Sequence, residues 1–198
     1  YKRQYLPSIK PIISITRFTG GFSNLTYQIA TLDQLFVMRM APSGANIQSA
    51  HNMEREYKVL SLLKPFFSTI PQPILYANNT NITPSPFYIM EQLDGTILRA
   101  YNASKLAITP AQFEHCAKQL VETLAALHAI DIEKTQLVHL GKPEGYVTRQ
   151  VEGWIKRYYA AQTDVIESMD LAAKWLEQNL PKQQAPAFLH NDFKYDNV

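Results

Sequence analysis

Short runs of β-branched and aromatic residues alternate with turn residues along the first ninety positions. Ile12 to Phe18, Thr26 to Thr31 and Leu35 to Met40 have strand length and are separated by Gly, Ser, Asn and Asp, which predicts three strands. From about Ala50 to Leu63 the period changes. Met53, Tyr57, Leu60 and Leu63 recur at helical spacing, while Glu54, Arg55 and Lys58 fall outside that stripe. Pro65, Pro71 and Pro73 stop the helix, and Ile74 to Ala77 and Phe87 to Glu91 read as two further strands.

After Asp94-Gly95 the pattern becomes helical. Thr109 is placed to cap a helix with Pro110 at its first position, and Phe113, Ala117, Leu120, Leu124 and Leu127 continue a buried stripe to about Ala129. A second helix is expected over Tyr146 to Ala161, with Val147, Val151, Trp154, Ile155 and Tyr158 on one face, and a third near Asp164 to Asn179. Pro181 and Pro186 follow it. Five strands with one helix, then a mostly helical half, predict an α+β protein of two lobes, residues 1–93 and 94–198, joined near residues 91–95.

Composition narrows the function classes. With 46% hydrophobic and 18% charged residues in 198, the chain has the material for a core and is no disordered segment. Its net charge of +2 comes from scattered residues without a basic run, so no nucleic-acid partner is expected. Cys116 stands alone, which excludes an intrachain disulfide and a thiolate zinc cluster; in its helical pattern it reads as a buried structural thiol in a reducing compartment. No apolar run approaches the roughly 20 residues that span a bilayer, and Tyr-Lys-Arg-Gln followed by Pro7 is unlike a signal peptide. A soluble, cytoplasmic protein without a membrane partner is expected.

The most informative chemistry lies at the end. Phe188 to Val198 contains the pattern H-x-D-x-x-x-x-N, formed by His190, Asp192 and Asn197, and the apolar triplet Ala187-Phe188-Leu189 leads into it as a short buried strand would. Phosphoryl transfer needs a carboxylate to orient the attacking hydroxyl and take its proton, and an oxygen ligand nearby to hold magnesium on the phosphates. Asp192 fits the first role, Asn197 the second, and His190 can brace the loop from inside. Taken alone, the same pattern describes a polar loop capped by Asp and Asn.

Three upstream segments bear on that choice. Phe18 to Asn24 sets Gly20 and Gly21 between two strands, where they let backbone approach phosphate oxygens with Ser23 and Asn24 adding side-chain hydrogen bonds, or simply make a hairpin turn. Arg39 is a cation inside the apolar strand Phe36 to Met40 and needs an anionic partner if it faces inward; Glu56 on the following helix is the nearest good one. Both could equally face solvent. Phe87 to Gly95 is an apolar strand running into a polar turn, where Met90 would back an adenine pocket and Gln92 and Leu93 would offer main-chain groups, or where a buried strand merely ends.

In this order the four segments resemble the aminoglycoside phosphotransferase and choline kinase family, and the resemblance runs from the Gly20 loop to Asn197. It implies a two-lobed protein-kinase-like fold with a five-stranded antiparallel N-terminal lobe. It also implies ATP and Mg2+ as cofactors, with Gly20, Gly21, Ser23, Asn24, Arg39 and Glu56 serving the phosphates, Met90, Gln92 and Leu93 the adenine, Asp192 as the catalytic base and Asn197 as the metal ligand. The stretch Gly141 to Trp154 looks like the branch provisionally labelled aminoglycoside phosphotransferase and in some organisms fused to an acyl-CoA dehydrogenase. Its implied partners are a nucleotide and a small hydroxyl-bearing substrate, with hydroxyacyl thioesters favoured over aminoglycosides. Arg149, Gln150 and Trp154 are open to a plain helix-packing role.

Three departures from that family stand out. Arg39 replaces the usual Lys, which keeps the charge but presents a planar fork. Asn191 stands where relatives usually have Gly. Relatives also place a second magnesium aspartate on a strand after the loop, whereas the sequence ends at Val198. The expected function is transfer of the γ-phosphoryl group of ATP to a small hydroxyl compound, with a pseudokinase or nucleotide-binding regulatory module as the alternative. The 198-residue chain is expected to be part of a longer enzyme and not to transfer phosphate alone. ATP turnover by this stretch in isolation, with magnesium, checks that expectation: background hydrolysis supports it and robust turnover refutes it.

Overall fold

The computed structural model describes residues 10–19, 24–42, 52–79, 81, 83–99, 102, 105–182 and 184–197. Strands β1 (Ile12–Arg17), β2 (Leu25–Thr31), β3 (Leu35–Met40), β4 (Pro73–Ala77) and β5 (Phe87–Glu91) form one antiparallel sheet in the order β1-β2-β3-β5-β4. Helices α1 (Met53–Leu63), α2 (Pro110–His128), α3 (Tyr146–Ala161) and α4 (Glu167–Gln178) accompany it, with short 3-10 turns at Leu137–Leu140 and Tyr195–Asn197. The described residues up to Leu127 group with His190 and its successors into one compact unit, and His128–Leu189 form a second.

In the first unit the register decides which side chains meet. Successive strand residues point to opposite faces, so Thr26, Arg39, Tyr88 and Tyr76 make one row across β2, β3, β5 and β4. Gln28, Val37, Met90 and Pro73 make the next row on the same face. The other face holds the cross-strand pairs Ile29 with Phe36 and Met40 with Phe87, all buried. Each such side chain contributes roughly 1.5–3 kcal/mol by leaving water.

Helix α1 starts where Asn52 accepts a hydrogen bond from the Arg55 backbone N–H at 2.9 Å, an N-cap that satisfies one orphan donor. Met53 and Leu63 of the predicted stripe are buried. Tyr57 seats its ring against Tyr76 at 6.0 Å and Tyr88 at 6.4 Å, which fixes the helix over β4 and β5. Pro65 cannot continue the helix. The Lys64 ammonium ties off the exit by donating to the carbonyls of Ser68 (3.0 Å) and Ile70 (2.6 Å). The stretch 43–51, where the sequence pattern begins this helix, lies outside the described residues.

Thr109 and Gln112 form a reciprocal capping box at the start of α2: the Gln112 N–H donates to Thr109 Oγ1 at 3.3 Å and the Thr109 N–H to Gln112 Oε1 at 2.9 Å. Pro110 is the first helical residue, as predicted. Leu127 is buried, whereas Phe113 at the other end of the stripe is exposed and turns its ring to Tyr195 at 5.6 Å. Cys116 is partly exposed rather than buried, because it borders a groove lined by Leu98, Ile108 and Gln112 instead of a packed layer.

The second unit pairs α3 with α4, and the Tyr159 hydroxyl donates to Asp170 Oδ1 at 3.0 Å between them. Gly145 enters α3 with φ of 65°, a left-handed conformation natural to glycine. Arg149 reaches back to donate to the carbonyls of Lys142 and Glu144, closing the loop before α3. Three expectations are corrected in this unit. Trp154 is 64% exposed, its indole covered by the Arg157 guanidinium at 4.8 Å rather than by apolar neighbours. Helix α4 begins at Glu167 and not near Asp164, whose carbonyl and carboxylate are engaged by Gln162 and Thr163 in a turn. Ala187–Leu189 form no strand, for they have no ladder partner among the described residues, and Leu189 is exposed. No helix among the described residues is long and apolar enough to cross a membrane.

Candidate functional site

Glu56 is the meeting point of three elements. Its Oε2 lies 3.4 Å from Arg39 Nη1 of β3 and accepts a hydrogen bond from the Tyr88 hydroxyl of β5 at 3.0 Å. Its Oε1 accepts from Asn24 Nδ2, just before β2, at 3.3 Å. Arg39 and Glu56 are each about one-third exposed, so the pair is neither screened like a surface bridge nor dry like a core one. Tyr88 is fully buried, and burial pushes its phenol well above its ordinary range, Arg39 opposing that and Glu56 adding to it. It therefore stays a neutral donor. A hydrogen bond to a charged acceptor is worth about 1.5–3 kcal/mol, so this hydroxyl matters to where the carboxylate sits.

Met90 and Gln92 lie beyond Tyr88 on β5 and at its exit. Met90 is half-buried in the row with Gln28 and Val37. The Gln92 N–H donates to the Leu35 carbonyl at 3.4 Å, and its side-chain Oε1 accepts from Gln28 Nε2 at 2.9 Å. The Gln92 N–H is therefore engaged by the sheet, while Leu93, 49% exposed, makes no hydrogen bond among the described residues. Gly20, Gly21 and Ser23 lie outside the described residues.

The loop at His190–Asn197 closes on itself. Asn197 Nδ2 donates to Asp192 Oδ2 at 2.7 Å and to the Asp192 carbonyl at 2.9 Å, while Lys194 Nζ lies 3.3 Å from Asp192 Oδ1. Lys194 first and Asn197 second hold the Asp192 carboxyl below the usual carboxylate range, so it is ionised at neutral pH. His190 Nδ1 accepts from the Asp192 N–H at 3.4 Å and its ring stands edge-on to Phe193 at 5.1 Å. The ring contact of Tyr195 with Phe113 anchors the loop on α2. Asn191 has φ of 66°, the left-handed conformation that Asn tolerates and Gly prefers.

Among the described residues no cluster of three His, Cys, Asp or Glu side chains could hold a metal ion. Magnesium does not require one, because it binds through one or two protein oxygens plus phosphates and water. The amide oxygen of Asn197 and the carboxylate of Asp192 are hard donors of that kind, and they lie on one loop with the Asn197 amide nitrogen turned to Asp192.

An antiparallel sheet carrying an ion-paired cation, a helix supplying the partner carboxylate and an H-x-D-x-x-x-x-N loop make up a protein-kinase-like fold. The chain belongs to the phosphotransferase enzyme family, whose model matches residues 14–198. A candidate aminoglycoside phosphotransferase of known structure from Ralstonia eutropha is 29% identical with a TM-score of 0.84, over 100% of this chain and 57% of that one. Aminoglycoside 2'-phosphotransferase-IIIa, solved with GDP, is 19% identical and shares the fold with a TM-score of 0.67 over 98% of this chain and 63% of its own. Acyl-CoA dehydrogenase family member 11 of Rattus norvegicus is 35% identical across 100% of this chain and 26% of its own length. Family member 10 of Mus musculus is 33% identical, over 94% of this chain and 17% of its own length. The chain thus spans about a quarter of the first curated relative and less of the second. These matches bear out the branch read from Gly141 to Trp154.

Sequence reasoning did not single out Tyr88, Gln28 or Lys194. Tyr88 and Gln28 act through pairings between strands far apart in sequence, and only register reveals them. Lys194 was legible, as a cation two positions after Asp192 in a tight loop. The φ of Asn191 yields a test. Asn191→Gly is expected to leave the thermal stability of the full-length protein nearly unchanged, since Gly adopts that conformation freely, while Asn191→Val forces a β-branched residue into it at a cost of about 1–2 kcal/mol. Thermal unfolding of the two variants checks this; equal stability of both would show that the loop does not depend on that conformation.

Proposed function

We propose that the protein carrying this chain is a small-molecule kinase that transfers the γ-phosphoryl group of ATP to a hydroxyl group. The observation that supports it most is the 2.7 Å contact of Asn197 Nδ2 with Asp192 Oδ2, which joins the proposed base and the proposed metal ligand in one loop. Bound Mg2+ would draw charge off the phosphate oxygens as the P–O bond breaks.

The chain's own residues do the rest in this reading. Asp192 accepts the hydrogen bond of the acceptor hydroxyl through a lone pair left by Asn197 and Lys194, so the oxygen is aimed at phosphorus. Because Lys194 holds Asp192 below the ordinary carboxylate range, the residue is a weak base. Its contribution is orientation first and proton acceptance late, which suits a loose transition state in which the hydroxyl becomes acidic only as its bond to phosphorus forms. Arg39 neutralises phosphate charge while Glu56 keeps it in place. With the Gln92 N–H engaged by Leu35, the adenine edge falls to the Gln92 carbonyl and the Leu93 main chain. Asn24, just before β2 and bonded to Glu56, supports the phosphates along with Gly20 and Gly21.

For the acceptor we propose a hydroxyacyl thioester. Its support is the similarity to acyl-CoA dehydrogenase family members 11 and 10. Asp192→Asn in the full-length protein is expected to lower kcat at least about a thousandfold while ATP affinity stays within about threefold, since the side chain keeps its size and loses its charge. Phosphate transfer to a panel of hydroxyacyl thioesters and aminoglycosides, alongside ATP binding by calorimetry, measures both. An unmutated protein that binds ATP yet phosphorylates nothing in the panel would favour the nucleotide-binding regulatory module instead, and undiminished transfer by Asp192→Asn would remove this residue from the chemistry.

A further inference from the structure

The arginine at the phosphate position is held in an unusual way. Among the described residues its guanidinium makes one ion pair, Nη1 with Glu56 Oε2 at 3.4 Å, and its Nε is enclosed without a hydrogen-bond partner. A planar fork paired with one carboxylate, and flanked by the Tyr88 hydroxyl, turns with that carboxylate. Where the Glu56 carboxylate points therefore sets where the remaining N–H groups of Arg39 point.

Tyr88 controls that carboxylate. It is the direct cross-strand partner of Arg39, so both side chains leave the same face of the sheet side by side, and its hydroxyl reaches the same oxygen that Arg39 contacts, at 3.0 Å. Its ring is fully buried and also meets Tyr57, the neighbour of Glu56 on α1. One residue thus seats the helix with its ring and orients the helix's carboxylate with its hydroxyl. Asn24 takes the other carboxylate oxygen from a third direction.

We infer that Tyr88 is a positioning residue for nucleotide phosphate binding: its hydroxyl clamps Glu56 in the orientation that aims Arg39 at the phosphates. This rests on the kinase reading above. Tyr88 acts through Glu56 and Arg39 and does not itself touch the ligand. A neutral phenol suits the task better than a second cation, because it fixes the carboxylate without competing for its charge and remains protonated throughout the working pH range.

The test uses the full-length protein and two probes, ATP and adenosine, which share the base and differ in the phosphates. Tyr88→Phe removes one oxygen from a buried ring and leaves its volume. ATP is expected to bind about tenfold more weakly, with adenosine affinity within twofold and kcat at saturating ATP changed far less than KM. In the Glu56→Ala background the same change is expected to have no further effect on ATP affinity, because the clamp has nothing left to hold. If Glu56→Ala does not fold, the comparison of ATP with adenosine in Tyr88→Phe decides alone.

Unchanged ATP affinity in Tyr88→Phe overturns the inference. So does an equal loss for adenosine, or effects of the two substitutions that multiply, or a Tyr88→Phe protein that fails to fold, since each assigns the hydroxyl to general stability. An unmutated protein that binds no ATP overturns the kinase reading with it, whereas normal ATP binding insensitive to Tyr88→Phe overturns the clamp alone.

Discussion

A carboxylate that is only one-third exposed must have its lone pairs satisfied and its charge matched, and in this protein Glu56 meets both demands by drawing on two strands and the residue before a third. Asn24 just before β2, Arg39 in β3 and Tyr88 in β5 all end on its two oxygens. Removing it would leave a half-buried guanidinium without its counter-charge and a buried hydroxyl without an acceptor. The placement of α1, the direction of Arg39 and the approach of the chain into β2 are consequently one constraint expressed at three places.

That constraint bears on what an arginine, rather than a lysine, needs at this position. A lysine carries a point charge that can follow its ligand on a flexible stem, while a guanidinium must be aimed. The row Thr26, Arg39, Tyr88, Tyr76 supplies the aim by placing a phenol beside the cation, and the Tyr57 ring between Tyr76 and Tyr88 keeps the helix that bears Glu56 from sliding. The loop from His190 to Asn197 follows a similar economy. His190, Lys194 and Asn197 all bond to Asp192 within eight residues, so its geometry is local and relies on the helical scaffold mainly through the contact of Tyr195 with Phe113.

Much of this was legible from local patterns. Proline and capping residues placed α2 at Pro110, and the strands β3 and β5 follow their apolar runs to the residue, because turn chemistry and side-chain period are written locally. The pairing of Arg39 with Glu56 was legible as a need, since a cation in an apolar strand calls for an anion. The third partner was not. Tyr88 looked like one more apolar strand residue, for nothing in a sequence states that β5 inserts between β3 and β4 and sets it opposite Arg39. Trp154 failed for a different reason: helical periodicity marks a face that prefers burial but does not say whether another element covers it, and here the ring stays 64% exposed with the Arg157 guanidinium over it.

The account rests on Arg39 serving nucleotide phosphates rather than fold stability, and titration calorimetry of an Arg39→Met variant tests this directly. Methionine preserves much of the apolar stem and removes the charge. A non-hydrolysable ATP analogue is predicted to bind the variant at least about tenfold more weakly than the unmutated full-length protein while adenosine binds both alike, the difference being the phosphate interaction. Equal binding of the analogue to both proteins, or a parallel loss for adenosine, would contradict it.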